Sequence, residues 1–131
     1  ANCLGIESDD FSSACRVVMK SFPGIRKIAN TDRQTISASH NRIHGILWNG
    51  KDLICSREFD LSHIVDRVGT GDAYMAGLIY GWVNGYDDQQ TVNFATAAGA
   101  LKHSIEGDAN IASVQEIETL VKNENTGKLL R

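Results

Sequence analysis

The segment Asp66–Gly77 constrains this chain most, because in it a glycine-rich turn runs directly into a helix. Residues 62–65 predict a short strand before the turn, and apolar residues recur at helical spacing after it: Met75, Leu78, Ile79, Trp82 and Val83. Gly69 and Gly71 permit backbone angles that are closed to other residues, so successive N–H groups can turn inward and join the free amides of the helix start. The order of strand, glycine turn and helix therefore predicts a concave anion site of the kind that binds phosphate.

Asp72 lies in the first turn of that predicted helix. A carboxylate beside an anion site would repel phosphate if it only bound, but it has a purpose as a base that removes a proton from an attacking hydroxyl. The alternative is structural, because an aspartate at a helix start caps free amides and favours the helix dipole. On spacing alone, neither interpretation is preferred.

Composition narrows the class of protein. A chain of 131 residues with 42% hydrophobic residues suits one globular domain, and a net charge of −3 without a basic run excludes an electrostatic footprint for nucleic acid. No apolar stretch is long enough to cross a membrane, and no segment resembles a signal peptide. The three cysteines lack metal-ligand spacing and predict buried, reduced thiols. We therefore expect a soluble, cytoplasmic protein with neither a nucleic-acid nor a membrane partner.

The N-terminal part has the pattern of a βαβ unit. Residues 1–6 predict a buried strand, and a helix that Ser8 or Asp9 can cap follows until Pro23. Residues 25–29 predict the second strand, which would pair in parallel with the first.

Thr31 and Arg33 follow that second predicted strand. They would lie just past its carboxyl end, the edge where open α/β sheets bind ligands. A solvated polar loop is the alternative for both residues.

The rest of the chain combines a hairpin with helices. Asn49-Gly50 stands between two strand-like runs and predicts an antiparallel β-hairpin. Asp87-Asp88 and Ser113 predict the starts of two further helices. Small residues recur every fourth position, which predicts close helix packing: Ala73, Gly77 and Gly81, then Ala95 and Gly99.

The glycine turn also carries a family resemblance. Its pattern Asp-x-x-Gly-x-Gly-Asp-x-x-x-Ala-Gly resembles the motif of the ribokinase-like (PfkB) carbohydrate kinases, usually Asp-Thr-x-Gly-Ala-Gly-Asp. The resemblance implies an α/β, ribokinase-like Rossmann-type three-layer fold. It implies that Asp72 is the catalytic base and that the amides of Gly69, Thr70 and Gly71 hold the transferring phosphate. Arg67 replaces the usual Thr, and Thr70, which still offers its amide, replaces Ala.

Three segments resemble the 2-keto-3-deoxygluconate kinase branch, in which Asp-Arg-Val-Gly is found: residues 33–41, 60–67 and 101–108. The resemblance covers almost the whole chain but only the C-terminal part of such a kinase. It implies that residues 1–131 are the nucleotide-binding portion, with a β-hairpin insertion. The N-terminal sugar-binding part and the lid would be absent.

The resemblance also implies ligands. ATP and Mg²⁺ are expected, and a monovalent cation where its site exists, near the loop after Lys102. An alanine-rich helix over residues 93–102 would wall the adenine pocket, with Thr96 and Gly99 facing the base. The full set of implied ATP contacts is Thr31, Arg33, Thr96, Gly99 and His103.

Residues 5–9 stand where the family has an Asn-x-x-Glu motif that helps to organise magnesium. Ile6 replaces the expected Asn, and Asp9 stands for Glu. The implied magnesium residues are Glu7, Asp9 and Asp66, acting through water if they act. An acidic helix start is the alternative for Glu7 and Asp9.

The implied function is ATP-dependent phosphorylation of a sugar-acid hydroxyl, with Arg67 and Asp72 contacting the substrate. The planar donor fork of Arg67 suits a charged oxygen, while an ordinary ion pair with Asp66 is the alternative. The isolated chain is expected to be inactive, and oligomerisation is left open. The competing hypotheses are a nucleotide-binding module without catalysis and a purely structural fragment.

Overall fold

The computed structural model describes residues 6–38, 40–61, 64–107 and 112–123. The elements are α1 (Ile6–Ser21), β1 (Ile28–Ser37), β2 (His40–Trp48), β3 (Leu53–Cys55), β4 (Phe59–Leu61), α2 (Thr70–Val83), α3 (Asp88–Lys102) and α4 (Val114–Lys122). Of the strand predicted over residues 1–6, Ile6 instead begins α1, and residues 1–5 lie outside the described part. No described helix is long and apolar enough to cross a membrane.

The described sheet is antiparallel and centred on β2. β1 pairs with one edge of β2, while β3 and β4 pair with different parts of the other edge. The predicted parallel pair involves residues 1–5, which lie outside the described part, and it stays a prediction. Ser37 pairs with His40, and so short a connection can only join antiparallel strands. Thr31 and Arg33 consequently lie within β1, opposite Gly45 and Ile43, and not beyond the end of a strand as predicted.

The predicted hairpin at Asn49-Gly50 is confirmed and joins β2 to β3. The Asn49 side-chain oxygen accepts the amides of Lys51 at 3.0 Å and Asp52 at 2.7 Å. Gly50 has φ 94°, a left-handed conformation that favours glycine. Asn49 and Gly50, the two residues that predicted the turn, therefore also stabilise it.

The helix starts are confirmed as well. Asp87 caps α3 through a capping box with Gln90, and Ser113 caps α4 through one with Glu116. The strand expected just before the glycine turn is not formed at Ile64 and Val65. The amide of Val65 bonds the His103 carbonyl instead of a neighbouring strand.

α3 is the centre of the core. Its inner face packs against β2 and β4, with α4 beside it; the buried cluster includes Ile43, Phe59, Leu61, Phe94, Leu101, Ile117 and Leu120. α2 packs on α3 along the predicted small residues. The prediction of close packing is confirmed, because an added Cβ at two of these glycines would collide with α3. A Cβ on Gly77 would lie 2.6 Å from the Ala95 Cα, and one on Gly81 would lie 2.8 Å from the Thr91 Oγ1.

α1 lies against the opposite face of β2. Gly45 of β2 faces Thr96 of α3, so Trp48, three positions along the strand, points to the other side. There the Arg16 guanidinium of α1 lies 4.9 Å from the Trp48 ring centroid. The order of helix, sheet and helix pair confirms the expected α/β class.

The cysteines differ from the prediction in one respect. Cys15 is a buried free thiol, but Cys55 is disulfide-bonded. The prediction of reduced thiols is therefore wrong for Cys55. Pairing depends on distance in the folded chain, which cysteine spacing does not reveal.

Candidate active site

The backbone carbonyl of Arg67 accepts the hydrogen bonds that close the glycine turn. The hydroxyl of Thr70 donates to that oxygen at 3.0 Å, and the Thr70 amide donates to it at 3.4 Å. Gly69 provides the left-handed residue at φ 80°, and no side chain caps the start of α2. The Thr70 amide, which was predicted to be open, is thus partly used to close the turn.

Three other amides remain open at this helix start. The first helical bond runs from the Ala73 amide to the Gly69 carbonyl at 2.9 Å. Among the described residues, the amides of Gly69, Gly71 and Asp72 have no acceptor. A Cβ on Gly71 would meet nothing within 4 Å, so open space adjoins these donors. The site therefore offers backbone donors and room for an anion.

Asp72 presents an uncommitted carboxylate beside those amides. The side chain is exposed and makes no hydrogen bond or ion pair with any described residue. The capping interpretation required its carboxylate to accept amides of its own helix. The arrangement instead leaves the carboxylate free to take a proton from a ligand.

Asp66, unlike Asp72, has a carboxylate that is fully engaged by backbone amides. Its Oδ1 accepts the Val68 amide and its Oδ2 accepts the Gly107 amide, both at 3.0 Å. These two bonds, the Val68 amide above all, hold the pKa of the Asp66 carboxyl below its usual value. The His103 carbonyl accepts the amides of Val65 at 2.8 Å and Asp66 at 3.1 Å. The Asp66 side chain thus links the glycine turn to the loop after α3 through hydrogen bonds.

His103 anchors Arg33 from inside the fold. Its Nδ1 lies 2.7 Å from the Gly99 carbonyl, which can only accept, so Nδ1 carries the proton. Nε2 therefore accepts a bond from Arg33 Nη2 at 2.6 Å. Burial above all, together with the nearby charges of Arg33, Arg67 and Lys102, lowers the pKa of His103 to about 4, although the bond to the Gly99 carbonyl opposes the shift. The imidazole is neutral at pH 7 and does not compensate the charge of Arg33, which has no acidic partner among the described residues.

Arg67 adds a second uncompensated guanidinium. Its side chain is exposed, and the alternative ion pair with Asp66 is absent from the described ion pairs. Burial lowers the pKa of Arg33, and the charge of Arg67 lowers it further, which places the two guanidinium groups within electrostatic reach. Two positive charges without acidic partners favour a site for an anionic ligand.

The remaining predicted ATP residues are not brought together on an open surface. Thr96 is fully buried and donates to the Val92 carbonyl at 2.6 Å. Gly99 packs against α2, since a Cβ there would lie 3.4 Å from the Thr70 carbonyl. Thr31 is half-buried on β1. Their contacts with ATP stay predictions, which the packing of Thr96 and Gly99 does not favour.

The described residues also form a cavity of about 230 Å³, which lies away from the glycine turn. It is bounded by α3 and α4, with Tyr86, Asn93 and Glu118 among its lining residues. It contains none of the predicted site residues.

The described residues do not form a metal site of their own. Within ranges 6–38, 40–61, 64–107 and 112–123, no three His, Cys, Asp or Glu side chains are grouped to hold an ion. The Asp66 oxygens are engaged by amides, Asp9 is exposed on α1, and the side chain of Glu7 lies outside the described part. The magnesium assignment of these three residues stays a prediction.

Comparison with known proteins identifies the class. A model of the pfkB family carbohydrate kinases matches residues 45–115, which include the end of β2, the glycine turn and α3. The chain therefore belongs to the pfkB family of carbohydrate kinases. Kinases of this family use ATP and usually Mg²⁺.

Several individual kinases are similar to this chain in sequence or structure. A PfkB family carbohydrate kinase from Listeria grayi is 38% identical with a TM-score of 0.78, over 90% of this chain and 36% of that one. The 2-dehydro-3-deoxygluconokinase of Thermotoga maritima is 34% identical with a TM-score of 0.79, over 86% of this chain and 34% of that one. A 1-phosphofructokinase from Haemophilus influenzae is 39% identical over 58 residues, 44% of this chain and 18% of that protein. The chain thus spans about a third of the solved relatives and a fifth of this curated one.

Sequence reasoning missed the residues that fasten the turn. The amide-binding role of Asp66 and the burial of Lys102 depend on the loop 103–107, about 40 positions from Asp66 in the sequence. A Gly-Asp pair after an alanine-rich helix was the available signal for a loop there. No local pattern showed that this loop meets the glycine turn.

Proposed function

We propose that this chain is the C-terminal, nucleotide-binding portion of a longer carbohydrate kinase, called the parent kinase below, which phosphorylates a hydroxyl of a sugar acid with ATP. The observation that carries the proposal is the start of α2. Unfilled amides of Gly69, Gly71 and Asp72 adjoin open space, and the uncommitted Asp72 carboxylate stands beside them. Donors for phosphate and an acceptor for a proton are the two functions that phosphoryl transfer needs.

The open amides and the Asp72 carboxylate suit an in-line transfer of the terminal phosphoryl group of ATP. The substrate hydroxyl oxygen forms a bond to the terminal phosphorus of ATP, and the bond from that phosphorus to the ADP oxygen breaks. The hydroxyl proton passes to the carboxylate of Asp72. The open amides donate to the oxygens of the transferring group, where negative charge accumulates. Mg²⁺, when bound with the nucleotide, neutralises phosphate charge.

A sugar acid is favoured as substrate by the charges beside the turn. Arg33 and Arg67 lie within electrostatic reach of each other and lack acidic partners in the described structure. Two guanidinium groups suit a carboxylate or phosphate, which they can bind through paired donors. The name of the Thermotoga maritima relative also denotes a kinase of a sugar acid.

The role of Asp72 is tested by Asp72→Asn in the parent kinase. The amide keeps the size of the side chain but cannot accept the proton, so turnover should fall about 100-fold or more. Nucleotide affinity, measured by calorimetry, should change little. Asp10→Asn, which changes an exposed aspartate on α1 without a proposed role, is the matched control for loss of a surface charge. Near-normal turnover of Asp72→Asn would remove Asp72 from the mechanism.

A further inference from the structure

Lys102 is a buried cation at the end of α3. Its side chain is fully buried, and its ammonium donates to the Ile105 carbonyl at 2.8 Å. An ammonium has three donors, and no second hydrogen bond or ion pair of this group is found among the described residues. Because burying a charged group is costly unless its surroundings compensate it, this position needs a physical reason.

The loop after α3 contacts both Lys102 and the glycine turn. The Asp66 carboxylate accepts the amide of Gly107, two residues after Ile105, whose carbonyl accepts the Lys102 ammonium. The carbonyl of His103 points at the glycine turn and accepts the amides of Val65 and Asp66. The Lys102 ammonium thus bonds a carbonyl of the same loop whose His103 carbonyl and Gly107 amide hold the glycine turn. Carbonyl oxygens of this kind also suit hard metal cations.

The family resemblance placed a monovalent-cation site near the loop after Lys102. The residues present do not fit a bound ion there, because the side chain of Lys102 ends inside this loop and already bonds the Ile105 carbonyl. We propose that the Lys102 ammonium is the resident cation of the loop and replaces a bound monovalent ion in holding Asp66 and the glycine turn. Lys102 is then a positioning residue that acts through Asp66.

The proposal predicts that charge at this position matters and that added potassium does not. Thermal unfolding of the 131-residue chain tests both, since the readout needs no turnover. The variants are Lys102→Met, which keeps most of the stem and removes the charge, and Lys102→Ala, which also vacates the stem. Lys122→Met is the matched control, because Lys122 is an exposed lysine in the last turn of α4.

The expected results differ between the proteins. The wild-type midpoint should be equal in potassium chloride and choline chloride at the same ionic strength. Lys102→Met should unfold about 5 °C or more below wild type in both salts, because the Ile105 carbonyl and the loop that bonds Asp66 lose their cation. Lys122→Met should match wild type. Lys102→Ala should regain part of its loss with potassium or methylammonium, which fit the vacated space, and not with choline.

Two results would overturn the proposal. One is a saturable, potassium-specific rise of the wild-type midpoint, which would show that the loop binds an ion beside Lys102. The other is a Lys102→Met protein as stable as wild type. Both comparisons remain decisive if Lys102→Ala fails to fold. Failure of the kinase proposal would appear in the Asp72→Asn turnover and leave these midpoints unchanged.

Discussion

Two aspartates at the ends of the glycine turn have opposite environments. Asp66 uses both carboxylate oxygens to accept backbone amides, whereas Asp72 is exposed and bonds no described residue. A carboxylate that accepts two amides is a structural clamp, and its ionised form is favoured. An uncommitted carboxylate beside open amides is suited to proton transfer. At the level of single residues, hydrogen-bond partners distinguish the two roles.

Arg67 is the residue that tests the substrate class. In the parent kinase, Arg67→Thr should weaken transition-state stabilisation more for 2-keto-3-deoxygluconate than for a neutral sugar. We expect a difference of roughly 1–3 kcal/mol, the contribution of a charged hydrogen bond. The measurement is kcat/KM for both substrates. Arg42→Thr is the control, because its guanidinium is already paired with Asp60 at 3.1 Å. Equal losses for the two substrates would place Arg67 on the nucleotide or in the scaffold.

His103 predicts a pH dependence of stability. Its pKa in the folded chain is about 4, below the ordinary value of 6.5, so the unfolded chain binds the proton more readily. Stability present above pH 6.5 should therefore be lost as the pH falls toward 4, by about 3 kcal/mol in all. Urea unfolding at several pH values measures this. His103→Gln should flatten the curve in this window, while His44→Gln shows the contribution of a histidine elsewhere. An unchanged slope in His103→Gln would contradict the assignment.

The contact of α2 with α3 depends on residues without side-chain bulk. Gly77 lies so close to the Ala95 backbone that an added methyl group would force the helices apart. The first turn of the same helix contains Gly71, where a methyl group would meet only open space. Two glycines six positions apart in one segment thus serve different purposes. One permits packing, and the other leaves room at the anion site.

Gly77→Ala should destabilise the chain by about 1–3 kcal/mol, because overpacking outweighs the better helix propensity of alanine. Gly71→Ala is the matched control within α2 and should leave the free energy of unfolding nearly unchanged. In the parent kinase, however, Gly71→Ala should lower turnover, since its methyl group enters the space beside the open amides. Chemical denaturation and kinase assays measure the two effects. A Gly77→Ala chain as stable as wild type would show that the helices move apart freely.

At the scale of the whole molecule, the described residues leave an apolar side of α2 exposed. On the outer side of α2, Met75 and Ile79 are each 52% exposed and Val83 is 78% exposed, although Leu78 on the inner side is fully buried. A helix that is apolar all round is normally enclosed within a larger protein. Since the chain spans 36% of the Listeria grayi structure, we expect the rest of the parent kinase to cover this face.

The isolated chain should accordingly bind ATP weakly at best and should not phosphorylate sugar acids. It contains the proposed base and amides, but it spans only about a third of the solved relatives. Calorimetry with ATP and a coupled kinase assay on the 131-residue chain measure both properties, with the parent kinase as the positive control. Robust turnover by the chain alone would refute the proposal that further sequence completes the site.

Local signals were sufficient for several features. The glycine turn, the start of α2, the caps at Asp87 and Ser113 and the Asn49-Gly50 hairpin all formed where the sequence predicted them. Each depends on residues within about four positions of one another, because caps and tight turns are closed by neighbouring backbone groups. The family motif also identified Asp72, whose role as base stays a prediction.

Only the tertiary structure decided which distant segments meet. β1 pairs antiparallel with β2, Thr96 and Gly99 face the interior, and Asp66 bonds the loop after α3. Pairing, burial and the pKa of His103 arise from contacts between residues far apart in the chain. Sequence spacing carries little information about such contacts, since hydrophobic burial is not directional and many pairings satisfy one local pattern.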